Sequence, residues 1–197
     1  RNIDGQDVFF NYRGVQAKGD FGRDGVYMPE YYYDKDNGRK VTKAGFVKDN
    51  RGLTYYLDEK GNKVLGLHEI NGDLYYFRRG GAYKYTQLGD MWQDSINYID
   101  GKIYYFGHDG RAIKNRFYQW GNYWYYFYAD GSAATGAVQI NGQQLYFDKN
   151  HGRQVKGAFA PDGHYYDENS GELVTNQTRT IKGVTYHFDE NGNATKV

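Results

Sequence analysis

Two phrases in this chain place a side-chain amide and an ammonium two residues apart: Gly14-Val15-Gln16-Ala17-Lys18-Gly19 and Gly152-Arg153-Gln154-Val155-Lys156-Gly157. On an extended strand such residues share a face about 6.6 Å apart, comparable to the breadth of a pyranose ring. The Gln amide both donates and accepts, so it can serve two neighbouring hydroxyls, and the Lys ammonium offers further donors to hydroxyl lone pairs. Aromatic runs adjoin both phrases, so a nearby Tyr from the same hairpin or the next can supply a flat face. A ring laid against the apolar C–H side of a sugar would complete a pocket at each. The competing assignment for both Gln-x-Lys pairs is a solvated polar strand face.

The elements that must carry these residues come from a repeat. Aromatic or bulky runs end at residues 10, 33, 57, 77, 106, 127, 147, 166 and 188, spaced 19 to 29 apart. A period near twenty marks a repeat architecture. After most runs comes an acidic-and-glycine turn, such as Asp58-Glu59-Lys60-Gly61-Asn62 or Asp148-Lys149-Asn150-His151-Gly152. Gly and Asn tolerate positive φ there, and the Asp side chain can cap the turn's own backbone. These turns are expected to close hairpins, with Gln-x-Lys on the second strand. Asn71-Gly72, Asp100-Gly101 and Asn141-Gly142 are expected to lead from one unit to the next. No amphipathic helix longer than a turn or two is evident. An isolated hairpin is marginal in water, so the expected fold is all-β: a β-solenoid of about nine stacked hairpins. Residues 1–197 form one repeat domain, more regular over 1–77 and 101–197, with an irregular junction at 78–100 around Gln87-Leu88-Gly89-Asp90-Met91-Trp92.

Composition narrows the function classes. The chain has 23 Tyr and 27 Gly but no Cys, a mean hydropathy of −0.91 and a net charge of +1. Tyrosine must supply much of the buried area, which suits many small cores shared between neighbours. The mixed charges give no basic stripe for nucleic acid, and no run approaches the roughly 20 apolar residues of a membrane span. Asp34, Asp58, Asp130, Asp148, Asp167 and Asp189 fill turn slots rather than a two-carboxylate cleft. The five histidines lack metal-ligand spacing, and the calcium-loop-like Asp34-Lys35-Asp36-Asn37-Gly38 has Gly45 where a Glu is required. No catalytic residue, cofactor or metal is expected.

The aromatic pair, Asp, Gly, then Gln-Val-Lys-Gly resembles the repeats of the glucan-binding domain of bacterial glucansucrases. That resemblance covers nearly the whole chain, although Gln-x-Lys occurs only twice. It implies a non-catalytic module with sugar pockets at successive turns, binding dextran-like α-glucan or isomaltooligosaccharides. It also implies a monomeric fragment of a secreted or cell-surface bacterial enzyme that makes α-glucan from sucrose. Gln16 with Lys18, and Gln154 with Lys156, would each define a pocket, with Phe9 and Tyr31 or Tyr32 as platforms for the first and Tyr146 with Tyr165 for the second. A weaker third site would lie at Lys114, Trp120 and Trp124, where the lysine is kept but Ala112 replaces the glutamine. Repeats with Lys63 and Leu65, or Ala133 and Thr135, in those slots depart from the pattern and read as structural turns. Two alternatives stay open: a choline- or cell-wall-binding module, for which Trp92, Trp120 and Trp124 are few rings for a cage, and a purely structural spacer.

Overall fold

The computed structural model describes residues 1–22, 30–80 and 88–197, and the statements below concern those residues. They contain strands, bridges and turns but no helix. Nineteen short strands pair antiparallel into nine sheets. β1 (Asn2–Ile3) pairs with β2 (Gln6–Asp7), β3 (Asp20–Phe21) with β4 (Tyr32–Tyr33), and β5 (Gly45–Lys48) with β6 (Thr54–Leu57). β7 (Gly66–Ile70) pairs with β8 (Asp73–Phe77), β9 (Ser95–Ile99) with β10 (Lys102–Phe106), and β11 (Arg116–Trp120) with β12 (Tyr123–Phe127). β13 (Gly136–Ile140) pairs with β14 (Gln143–Phe147) and β15 (Ala158–Phe159) with β16 (Tyr165–Tyr166). The last hairpin, β17 (Gln177–Ile181) and β18 (Val184–Phe188), carries a third strand, β19 (Ala194–Lys196).

The two kinds of turn exchange the roles expected from sequence. Asn71-Gly72, Asp100-Gly101 and Asn141-Gly142 close hairpins rather than linking units, and both residues of each have positive φ. Two-residue loops of that geometry match the right-handed twist of the strands they join, and Asn-Gly or Asp-Gly meets the requirement with little strain. The longer Asp turns follow the second strand instead. In them the Asp carboxylate takes the turn's N–H groups: Asp58 Oδ1 accepts from Lys60 and Asn62, and Asp148 Oδ1 from Asn150 and His151. The chain then returns as one bridging residue. Gln-x-Lys therefore lies on this return segment, not on a hairpin's second strand.

Every return follows one rule. The final aromatic or apolar residue of the run bridges the residue two beyond the turn glycine: Phe10 to Gln16, Leu57 to Lys63, Phe106 to Ala112, Phe127 to Ala133, Phe147 to Gln154. In the later of these returns the N–H of that same residue also reaches back to an earlier hairpin, Ala112 to Leu74 O, Ala133 to Ile103 O and Gln154 to Trp124 O, each at 2.8 Å. The residue thereby splices three backbone segments, and its side chain is aimed at the following turn. Across the junction, Phe77 bridges Met91, while Arg78 N donates to Asp90 O at 3.0 Å. Residues 81–87 of that stretch, Gln87 included, lie outside the described residues.

The chain divides into two compact units, Arg1–Ser95 with Phe106–Ala112, and Ile96–Tyr105 with Ile113–Val197. In the first, Phe21, Tyr32, Tyr55 and Leu57 form one small core, and Ile70, Tyr75 and Phe77 another. In the second, successive cores centre on Tyr125 and Phe127, on Leu145 and Phe147, on Tyr146 and Tyr166, and on Tyr165 and Phe188. Each fully buried ring contributes about 1.5–3 kcal/mol, so stability is spread over many small clusters. Buried tyrosines keep their hydroxyls satisfied at the margin, as Tyr32 does on Lys48 O at 2.7 Å and Tyr166 on Asp162 Oδ2 at 2.8 Å.

Candidate functional site

The two Gln-x-Lys segments are built alike. Each follows a turn glycine held at positive φ, Gly14 or Gly152. The Gln16 amide lies directly against Gly38 of the next turn, and the Gln154 amide against Gly171 in the same way. Lys18 Nζ donates to Asp36 O at 3.4 Å, and Lys156 Nζ to Asn169 O at 2.8 Å. In both cases the acceptor stands two residues before the next turn's glycine. Gln93, four residues beyond Gly89, makes the equivalent bond to His108 O, two before Gly110. Part of each polar pair is thus committed to fastening the next turn. The Lys ammonium keeps further donors free, and the Gln carbonyl oxygen remains available to accept.

Around the first pair the surface is concave. A cleft of about 310 Å³ is lined by Phe9, Asn11, Val15, Gln16, Ala17, Lys18, Asp20, Phe21 and Asn50. This gives an apolar side from Phe9, Val15 and Ala17 and a rim of amides, a carboxylate and an ammonium, suited to a neutral ligand with hydroxyls and one apolar face. Phe9 is where the sequence placed it, its ring 5.8 Å from Tyr33. Tyr31 and Tyr32 are not part of the lining. Tyr32 is buried, and the face of Tyr31 carries the Lys40 ammonium at 3.2 Å from the ring centroid. Asn50, which sequence reasoning missed, arrives from the β5–β6 loop and donates to Lys18 O at 3.4 Å. Nothing in the repeat period signals a contact across 32 residues.

Around the second pair the assigned platforms are corrected. Tyr146 and Tyr165 are 2% and 6% exposed. Tyr146 packs on Tyr166, and Tyr165 on Phe159 and Phe188, so neither offers a face to a ligand. The ring at this site is Trp124, which has the Lys156 ammonium 5.8 Å from its centroid and whose carbonyl accepts from Gln154 N. The third site does not assemble as expected. Trp120 pairs with Tyr123 and Gln119 with Trp124 in the β11–β12 register. Directly opposed residues share a face and neighbours alternate, so Trp120 and Trp124 stand on opposite faces. Trp124, with Gln119 opposite it, belongs with Gln154 and Lys156, while Lys114 occupies the return segment after Gly110.

The capping carboxylates are electrostatically fixed as anions. Asp130 is pulled down to about 2 by the Ser132 hydroxyl, with burial opposing and Lys102 assisting. Asp167 is lowered by the Ser170 N–H and by Arg179, whose Nη1 stands 2.7 Å away. A carboxylate held in this state serves as a hydrogen-bond acceptor for the turn, not as a proton donor at neutral pH.

The segments from which these turns and returns are made match described repeat families. Residues 134–177 match the choline-binding repeat, and residues 44–63, 115–133 and 179–194 match the putative cell wall binding repeat. The chain carries repeats of this class. Over 98% of its length it is 36% identical to glucosyltransferase-S of Streptococcus mutans serotype c and 37% identical to glucosyltransferase-I of Streptococcus downei. It spans only 13% and 12% of those two relatives. Among solved structures, the repeats superpose on choline binding protein F of Streptococcus pneumoniae with a TM-score of 0.69 at 20% identity, covering 98% of this chain and 78% of that one. The choline-binding domain of CbpL from the same organism gives 0.68 at 22% identity, covering 100% and 96%. Those two likenesses establish a shared fold.

Proposed function

We propose that this chain is a non-catalytic module that binds dextran-like α-glucan, acting within a secreted or surface-attached glucosyltransferase. The observation that carries this reading is the cleft around Gln16 and Lys18: Phe9, Val15 and Ala17 supply apolar area, while Asn11, Gln16, Lys18, Asp20 and Asn50 supply donors and acceptors. Such a site suits a neutral, hydroxyl-rich ring better than an ion. Identity to streptococcal glucosyltransferases over nearly the whole chain supports glucan as the sugar. In this reading the hairpins stack as a β-solenoid within each unit, and the second pocket is Gln154 and Lys156 with Trp124 as its platform. The capping role of the turn carboxylates supports the absence of sugar chemistry in the module.

The test is retention on immobilised dextran. The purified chain should be retained and should elute with isomaltooligosaccharide but not with choline at equal concentration. Passage without retention would refute glucan binding, and turnover of sucrose or dextran surviving rigorous purification would refute the non-catalytic assignment.

A further inference from the structure

The repeats match choline-binding families, and a quaternary ammonium is recognised by aromatic faces open to a cation. In this chain several such faces already carry a cation of its own. Lys40 Nζ lies 3.2 Å from the Tyr31 centroid, Lys63 Nζ 3.8 Å from that of Phe21, Arg153 Cζ 4.1 Å from that of Tyr123, and Lys156 Nζ 5.8 Å from that of Trp124. All four cations come from the return segment, one to four residues beyond a turn glycine: Gly38 for Lys40, Gly61 for Lys63, Gly152 for Arg153 and Lys156. The hairpin supplies the ring and the return segment supplies the charge. Two of these cations are anchored. Lys156 Nζ is held by Asn169 O at 2.8 Å and Lys63 Nζ by Glu30 Oε2 at 2.7 Å. Arg153 Nε is buried without a hydrogen-bond partner among the described residues, and its guanidinium lies over the Tyr123 ring.

We propose that Lys156 is the specificity determinant that closes the Trp124 site to quaternary ammonium ligands. An incoming choline would have to share the ring's negative face with a fixed ammonium of like charge, whereas a neutral sugar meets no such repulsion. The same side chain that can donate to a hydroxyl therefore rejects the cation. This inference stands apart from the α-glucan reading, since it concerns only what the site refuses.

The test follows tryptophan emission as choline chloride is added, with ammonium chloride at equal concentration as reference. Wild type should respond alike to both salts. Lys156→Met, which keeps the aliphatic stem and removes the charge, should gain a saturable choline response at least about tenfold tighter than any in wild type, the change expected for one freed cation–π contact. Lys156→Arg, which keeps the charge, should behave as wild type, and adding Trp124→Ala to Lys156→Met should abolish the gain. Lys156→Gln gives a second uncharged variant should Lys156→Met prove unstable, with a cooperative thermal transition confirming its fold. A saturable choline response in wild type equal to that of Lys156→Met would overturn the proposal, as would no gain in a folded variant. Dextran retention by the wild type is read separately: its loss alongside the expected choline pattern would refute the glucan reading alone.

Discussion

At the scale of single residues, Lys156 and Gln154 would each serve two purposes under the proposed glucan binding, holding sugar and fastening a turn. Lys156 Nζ holds Asn169 O, and the Gln154 amide packs on Gly171. Lys156→Ala should therefore weaken dextran binding by about 0.5–3 kcal/mol and also lower stability by about 0.5–1.5 kcal/mol, the loss of one hydrogen bond at a partly exposed position. Isothermal titration with isomaltooligosaccharide and a thermal melt separate the two effects. Full retention of affinity with lowered stability would make the lysine a splint only. Tyr146→Phe should leave binding unaffected, because that ring is in the core. Trp124→Ala should remove binding at this pocket and lower the thermal midpoint less than Tyr146→Ala would, since Trp124 is 37% exposed and Tyr146 2%. The Gln-x-Lys pairs were legible in the sequence because they are rare phrases in a repetitive chain. The platform was not, because tyrosine looks the same buried or exposed, and because Trp124 reaches Lys156 only through backbone pairing across 30 residues, Gln154 N on Trp124 O.

At the scale of the element, the aromatic runs foretold the strands well. Eight of the nine run ends, from Tyr33 to Phe188, close the second strand of a hairpin. The turns were harder, since Asp, Asn and Gly serve both as a two-residue hairpin loop and as a carboxylate-capped return. What separates them is length: Asn141-Gly142 lies directly between two alternating strands, whereas Asp148 to Gly152 needs five residues for its Asp to bond two N–H groups. The return turn depends on its glycine in a way the loop does not, because Gly171 combines φ of 74° with direct contact from Gln154. Gly171→Ala should cost about 1–3 kcal/mol through the strained left-handed backbone and should displace Gln154, weakening dextran retention as well. The capping carboxylates set the acid limit. Asp130 ionises at about 2 in the folded chain against 3.8 ordinarily. Its folded value is depressed, so its contribution is fully present above the ordinary value and is lost as pH falls toward about 2. Thermal midpoints of the wild type should therefore drop between about pH 4 and pH 2. Asp130→Asn should be less stable at neutral pH but flatter across that window, and an unchanged slope would remove this carboxylate from the acid limit.

At the scale of the whole molecule, one Gln-x-Lys pair falls in each compact unit, Gln16 with Lys18 in the first and Gln154 with Lys156 in the second. A pocket with two polar side chains and one or two rings has little to hold a sugar with, and an affinity near millimolar, about 4 kcal/mol, is what such a contact set supports. A polymer that fills one pocket presents its remaining sugars to the other at an effective concentration far above bulk. Long dextran should then bind much more tightly than isomaltotriose, and the excess should depend on both lysines. In surface plasmon resonance, Lys18→Ala and Lys156→Ala singly should bring dextran down toward the trisaccharide's affinity. The double variant should lose most retention of either ligand, with the thermal midpoint shifted only by the two small hydrogen-bond losses. The singles carry the decision, because each leaves one pocket intact. If dextran and isomaltotriose bind the wild type equally tightly, the pockets do not act on one chain. If both single variants keep the full dextran advantage, the multivalent surface lies outside the Gln-x-Lys segments, and those side chains serve only to fasten one turn to the next.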